Sequence, residues 1–90
     1  MEIVIEHNLK RSQHDALGVF DWPVWEKEVS RFDWTYDPQE TCYLIAGSVT
    51  VTPAGGAPVT ITAGDYVIFP AGMSCVWDIS EPISKHYRFG

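Results

Sequence analysis

The chain has 90 residues, a formal net charge of −6 and an apolar fraction of 46% that includes four tryptophans. This length suits one domain with a single hydrophobic core. Its six Lys and Arg residues are scattered, whereas a nucleic-acid surface needs a basic stripe, so the sequence argues against nucleic-acid binding.

The apolar runs, the N-terminal sequence and the number of cysteines together predict the cellular compartment. No apolar run approaches the roughly 20 residues of a membrane span, and the start "MEIVIEHNLK" lacks the form of a signal peptide. Only two cysteines are present, Cys42 and Cys75, fewer than a secreted domain of this size normally carries. We therefore expect free thiols in a cytoplasmic protein with no membrane partner, or in an organelle if a transit peptide has been removed.

The N-terminal third predicts short strands. The stretch "EIVIE", residues Glu2–Glu6, alternates acidic and aliphatic residues, which is typical of a strand with one solvated face. The following "SQHDALGVFDWP" is interrupted by Gly18 and Pro23, so it predicts no more than a single helical turn. From Trp25 onward the pattern has a period of two, which again indicates strands.

The remaining elements alternate strands with turns. "DPQ" (Asp37–Gln39) is a turn signal, and "ETCYLIAGSVTVT" is one long strand or two strands joined near Gly47. The loop "PAGGAP" (Pro53–Pro58) separates it from "VTIT", so these segments predict a hairpin. Short strands without a long helix indicate an all-β fold, a small antiparallel barrel or sandwich, in a single domain spanning residues 1–90.

Two stretches carry framework residues at fixed spacings. In the first, "WTY" at 34–36 is followed by Glu40 and Gly47; in the second, Gly64 is followed by Pro70, Gly72 and Cys75. These spacings resemble the two signature motifs of the cupin superfamily, His-x-His-x3–4-Glu-x6-Gly and Gly-x5-Pro-x-Gly-x2-His. The whole pattern is similar to the compact single-domain cupins grouped with the ureidoglycine-aminohydrolase-like and ethanolamine-utilisation-like (cupin 3) proteins.

The resemblance implies a jelly-roll β-barrel that often dimerises and holds a central pocket. Cupins that bind a metal use both histidines, the glutamate and the last histidine as ligands. In this chain those four positions are Trp34, Tyr36, Glu40 and Cys75. Indole offers no lone pair and phenol is protonated near neutral pH, so the substitutions predict no metal and no cofactor.

The pocket residues are predicted from strand alternation together with these motif positions. Trp34 and Tyr36 share a face, Glu40 shares one with Cys42, and Cys75 shares one with Trp77. Each has a plainer interpretation, which is core packing for the aromatic residues and thiols and a solvated rim for the carboxylate. On the functional interpretation, the candidate catalytic residues are Glu40, Cys75, Tyr36 and Lys85, and the candidate ligand-binding residues are Trp34, Cys42 and Trp77.

Lys85 is the cation that the pattern directs toward this pocket. In "ISKHYRF" it shares a face with Tyr87 and Phe89, whereas His86 lies on the other face. We predict that its ammonium sits beside Glu40, replaces the charge of a metal and lowers the pKa of the Cys75 thiol. In the alternative, Lys85 extends to solvent at the rim.

Other interpretations stay open at this point. Glu40, Cys42, Cys75 and His86 offer a donor set that zinc accepts in a tetrahedral site, although two side chains would have to point against the alternation. Tyr43 and Ile45, opposite the Glu40 face, predict a homodimer.

The favoured function is a metal-free binding or acid–base site for a small polar metabolite. The alternatives are a metal-dependent aminohydrolase- or isomerase-like enzyme with an atypical ligand set, or a non-catalytic dimerising module. The sequence leaves open whether the protein is an enzyme.

Overall fold

The computed structural model describes residues 2–7 and 17–90, and the description below concerns these residues. The seven strands are β1 (Val4–Glu6), β2 (Val24–Lys27), β3 (Ser30–Thr35), β4 (Glu40–Pro53), β5 (Val59–Thr62), β6 (Tyr66–Phe69) and β7 (Ser74–Phe89). A 3-10 helix, Val19–Asp21, occupies part of the segment predicted as a helical turn, of which residues 12–16 lie outside the described residues. No helix within the described ranges is long and apolar enough to cross a membrane.

The two longest strands, β4 and β7, organise the barrel. Their pairing runs from Glu40 opposite Phe89 to Pro53 opposite Cys75. The first half of β4 also pairs with β6 and its second half with β5, whereas β7 pairs with β3 near its start and with β2 near its end. All these pairs are antiparallel. Each long strand runs through both halves of the sheet, and the two halves enclose one interior. The predicted all-β jelly-roll fold is confirmed.

Strand β4 bends at Gly47, where the sequence predicts a joint. The pairing of β4 with β7 shifts register three times between Leu44 and Val49, as β-bulges do. Gly47 has a φ of +92°, and a Cβ there would collide with the backbone of Pro82 and Ile83. Only glycine accepts both the left-handed backbone and this close approach. One bent strand therefore supplies both sheet halves.

Alternation along β7 decides which side chains enter the barrel. Cys75, Trp77, Ile79, Ile83 and Lys85 are buried, whereas Asp78 and Ser80 between them are exposed. The inner face continues across the other strands with Leu44, Val49, Val51, Ile61, Val67 and Phe69. Burial of each large apolar side chain contributes about 1.5–3 kcal/mol. Lys85 therefore lies on an inner face that is otherwise packed with apolar side chains.

The outer face of β4 corrects one expectation. Tyr43 is buried in a small cluster with Val19, against which Trp22 and Tyr66 pack, so the segment carrying the 3-10 helix covers it. The prediction that Tyr43 is exposed for a partner is therefore wrong. Ile45 is 41% exposed, and a homodimer through this face stays a prediction.

Candidate functional site

An open cavity of about 190 Å³ lies on the inner side of β2, β3, β4 and β7. Of the described residues, eight line it, six of them aromatic and two charged. They are Trp25, Phe32, Trp34, Glu40, Trp77, Lys85, Tyr87 and Phe89. Its wall is therefore an aromatic enclosure with one carboxyl group and one ammonium group.

The two charged groups form an ion pair at the cavity wall. The Lys85 Nζ donates to Glu40 Oε2 over 2.6 Å, and the side chains are only 6% and 4% exposed. Among the residues described, Glu40 Oε1 makes no hydrogen bond. The predicted approach of Lys85 to Glu40 is confirmed, and the alternative in which Lys85 extends to solvent is wrong.

Strand register explains why these residues meet. Lys85 lies opposite Leu44 on β4 and opposite Trp25 on β2. Leu44 and Glu40 are four residues apart on one strand and therefore share a face. The Lys85 ammonium stands 5.0 Å from the ring centroid of Trp25 and 4.6 Å from that of Trp77. Both distances lie within the range of cation–π interactions.

Two predicted ligand-binding residues line the cavity. Trp77 is buried and stacks on Phe32, with ring centroids 6.2 Å apart. Trp34 is 45% exposed and stands at the mouth. Both positions are those expected of a binding wall.

Tyr36 lies in the core and does not line the cavity. Its ring stacks on Phe69 at a centroid distance of 4.7 Å, and its hydroxyl accepts a hydrogen bond from Trp77 Nε1 over 3.1 Å. Burial is the main cause that raises the pKa of the Tyr36 hydroxyl, and the negative charge of Glu40 adds to it. The expectation that Tyr36 forms part of the pocket wall is therefore wrong, whereas a role as a weak acid stays a prediction.

The two cysteines are also core groups. Both are free and buried, and neither lines the cavity. The Cys75 Sγ lies 3.6 Å from the Trp34 carbonyl oxygen, across the β3–β7 pair that sets these residues opposite each other.

The electrostatics of the two thiols correct a further expectation. Burial raises the pKa of the Cys75 thiol despite the opposing influence of Lys85. Burial likewise raises the pKa of Cys42 to about 12. The predicted depression of the Cys75 pKa is wrong, because loss of hydration outweighs the nearby ammonium.

The residues at the cupin metal positions do not suit a metal. Indole has no donor lone pair, the Tyr36 hydroxyl is engaged with Trp77, and Glu40 is paired with Lys85. Within residues 2–7 and 17–90, no group of three or more His, Cys, Asp and Glu side chains could hold a metal ion.

The alternative zinc set is not assembled either. His86 lies on the opposite face of β7 from Lys85, with its Nδ1 3.0 Å from the Trp22 carbonyl oxygen and its ring against Phe20. It cannot join Glu40, Cys42 and Cys75 in one shell without reversing the alternation of the strand. That the protein carries no metal stays a prediction.

Four lining residues were not among the sequence candidates. Tyr87 and Phe89 share the inner face with Lys85, so alternation alone could have identified them. Trp25 and Phe32 enter the cavity because β2 and β3 pair with β7. That pairing joins residues about 60 and 45 positions apart, and no local signal marks it.

Comparisons with known proteins agree with this architecture. Residues 14–87 match the model of the EutQ-like cupin domain. A DUF861 family protein from Thermotoga maritima superposes with a TM-score of 0.95 at 46% identity, covering 99% of this chain and 100% of that one. No curated protein matches this chain.

Two EutQ proteins share the fold at lower identity. The Clostridium difficile EutQ protein has a TM-score of 0.64 at 23% identity, covering 71% of this chain and 50% of that one. A putative ethanolamine utilization protein Q from Salmonella typhimurium has 0.64 at 22%, covering 71% and 51%. This chain therefore matches about half the length of each.

Proposed function

The chain belongs to the family of EutQ-like cupin domains, and we propose that its barrel binds a small polar molecule in the aromatic cavity, where Glu40 and Lys85 act as an acid–base pair. The observation that carries this proposal is the Glu40–Lys85 ion pair, buried at the wall of a cavity otherwise lined by aromatic rings. The family match supports the scaffold and does not specify a ligand.

Stability alone is a poor explanation for this pair. A buried ion pair loses so much hydration that well-packed apolar residues of similar volume often stabilise a protein equally well. By contrast, apolar cavities with a few convergent polar groups are typical of small-molecule sites. The cavity is open, so a molecule can reach the pair. A pair that served only packing would not need such access.

The cavity size restricts the ligand. Sites for drug-sized molecules usually have about 300–1,000 Å³, whereas this cavity has about 190 Å³. An apolar cavity of about 150 Å³ is known to hold benzene. The ligand is therefore a molecule of roughly one ring.

The ion pair can move a proton without a metal. Glu40 Oε1 is an acceptor that can take a proton from a bound molecule, and Lys85 can donate to an oxygen or nitrogen where negative charge then develops. The proton taken up by Glu40 then passes to the neutral Lys85 amine hydrogen-bonded to the same carboxyl group, which restores the ion pair, and the net outcome is a proton shift within the ligand. No step requires an additional reactant.

Binding can be tested through the tryptophans that line the cavity. Neutral, anionic and cationic one-ring molecules are titrated in turn; intrinsic fluorescence should change with at least one class, and the compounds that bind should lose affinity at least tenfold in Glu40→Gln. Asp78→Asn, an exposed carboxylate on β7, is the matched control and should bind as the wild type does. The proposal fails if no compound of any class binds in a manner that depends on Glu40.

A further inference from the structure

The charges lining the cavity cancel. Of the described residues that line it, only Glu40 and Lys85 are charged, and they are paired with each other. An anionic ligand would meet the Glu40 carboxylate, and a cationic ligand would meet the Lys85 ammonium. Either would add an uncompensated charge to a site of low polarity, which is costly. The site therefore favours a molecule without net charge.

The hydrogen-bonding groups of Glu40 and Lys85 that the ion pair does not use determine which ligand edge fits the site. Glu40 Oε1 has no partner within the described residues, so it offers an acceptor. An ammonium has three donors, and Glu40 Oε2 takes one of those of Lys85. An acceptor and a donor thus lie side by side, which complements a ligand edge carrying an N–H next to a C=O.

The walls favour a flat ligand. Phe32 and Trp77 are stacked with an interplanar angle of 16°, and Trp25 meets Trp77 edge-on at 84°. Planar rings pack well against such faces and edges. The exposed Trp34 and Phe89 leave the cavity open on one side.

We infer that the ligand is a neutral, planar lactam or related cis-amide, whose N–H donates to Glu40 Oε1 and whose carbonyl accepts from Lys85 Nζ. This inference rests on the proposed function and specifies the ligand class of the same cavity. Cis-amides suit the pair because their donor and acceptor lie on adjacent atoms and point to the same side.

A matched probe series tests the class. 2-Pyridone carries the lactam edge, 3-methyl-2-pyridone retains it with one added methyl, and N-methyl-2-pyridone has the same size but no donor. Benzoate and benzylamine supply ring-sized anionic and cationic probes. By tryptophan fluorescence and calorimetry, the two lactams should bind at least tenfold more tightly than the other three.

A second arm uses the protein. The double variant Glu40→Leu/Lys85→Met removes both charges, and circular dichroism verifies that it folds. It should lose the preference, so that 2-pyridone and N-methyl-2-pyridone bind within about twofold of each other. A preference that survives in the double variant overturns the inference.

The remaining outcomes separate this inference from the proposed function. If N-methyl-2-pyridone, benzoate or benzylamine binds the wild type as tightly as the lactams, the ligand class is wrong although the cavity binds molecules. The same holds if only compounds outside this series bind and depend on Glu40. If nothing binds, both proposals fall.

Discussion

Two groups of polar side chains meet inside this barrel, and they differ in whether they reach the cavity. The packed groups are buried among core residues and do not line the cavity; they are Tyr36, Cys42 and Cys75. The cavity pair, Glu40 and Lys85, is buried to a similar degree, yet it lines the cavity and leaves one carboxylate oxygen unpartnered within the described chain. A motif position thus determines where a residue lies, whereas its neighbours determine what it can do.

The difference extends to the energetics of ionisation. Burial raises the pKa values of all three packed groups, so their neutral forms are favoured. The cavity pair consists of opposite charges that compensate each other at 2.6 Å. We therefore expect substitutions of the packed groups to alter stability alone, and substitutions of the cavity pair to alter both stability and binding.

The largest effect is expected when the cavity pair is broken. Lys85→Met leaves the Glu40 carboxylate buried without a counter-charge, which typically costs about 3–5 kcal/mol of unfolding free energy. Glu40→Leu/Lys85→Met removes both charges and should recover most of this loss, because an apolar pair of similar volume is tolerated. Urea unfolding of the wild type, the single variant and the double variant measures both. A double variant as unstable as the single one would show that the pair is itself a main source of stability.

A smaller effect is expected from the hydroxyl of a packed group. Tyr36→Phe leaves the buried Nε1–H of Trp77 without its acceptor, which costs about 1–3 kcal/mol. Since Tyr36 does not line the cavity, ligand affinity should stay within about twofold. Tyr66→Phe, a half-buried tyrosine on the outer side, is the control and should change stability by less than about 0.5 kcal/mol. A tenfold loss of affinity in Tyr36→Phe would place its hydroxyl in the site.

Alkali should weaken the fold through the packed groups. The Cys42 pKa rises from 9.0 to about 12 in the folded protein. This contribution to stability is therefore complete below pH 9 and is lost as the pH rises toward the folded value. The slope is at most about 1.4 kcal/mol per pH unit for one group. Unfolding free energies measured in steps across this window should fall less steeply for Cys42→Ala than for the wild type, and equal slopes would contradict the assignment.

Much of this comparison could be predicted from local patterns. The motif spacings locate β4 and β7, and period-two alternation places Glu40, Cys75, Trp77 and Lys85 on inner faces. Alternation also predicts the Glu40–Lys85 pair, because it requires only that the inner faces of two neighbouring strands meet.

The rest depended on quantities that local patterns do not carry. Trp25 reaches Lys85 through a strand pairing between residues 60 positions apart. Tyr43 is covered by the segment that carries the 3-10 helix, and no local sequence pattern predicts that this segment packs there. The pKa of Cys75 is a balance in which burial, the largest influence, and the Glu40 charge raise it, whereas a hydrogen bond with Trp77 and the Lys85 ammonium lower it. Residue order indicates that a thiol and an ammonium share an inner face, but the size of the burial effect depends on how deeply the folded chain buries the thiol.

The smallest effect concerns the reactivity of Cys75, where the packed groups and the cavity pair come closest. Only the thiolate reacts with iodoacetamide, and burial raises the Cys75 pKa even though Lys85 opposes that rise. Near neutral pH the folded protein should therefore alkylate more slowly than free cysteine, by about tenfold for each unit by which its pKa is raised. Unfolding in urea exposes the thiols to solvent and separates them from the Lys85 ammonium, so they should then react at the rate of free cysteine. Mass spectrometry of timed samples distinguishes Cys75 from Cys42. Folded Cys75 that reacted faster than free cysteine would mean that the Lys85 ammonium prevails over desolvation, and Cys75 would then belong with the cavity pair.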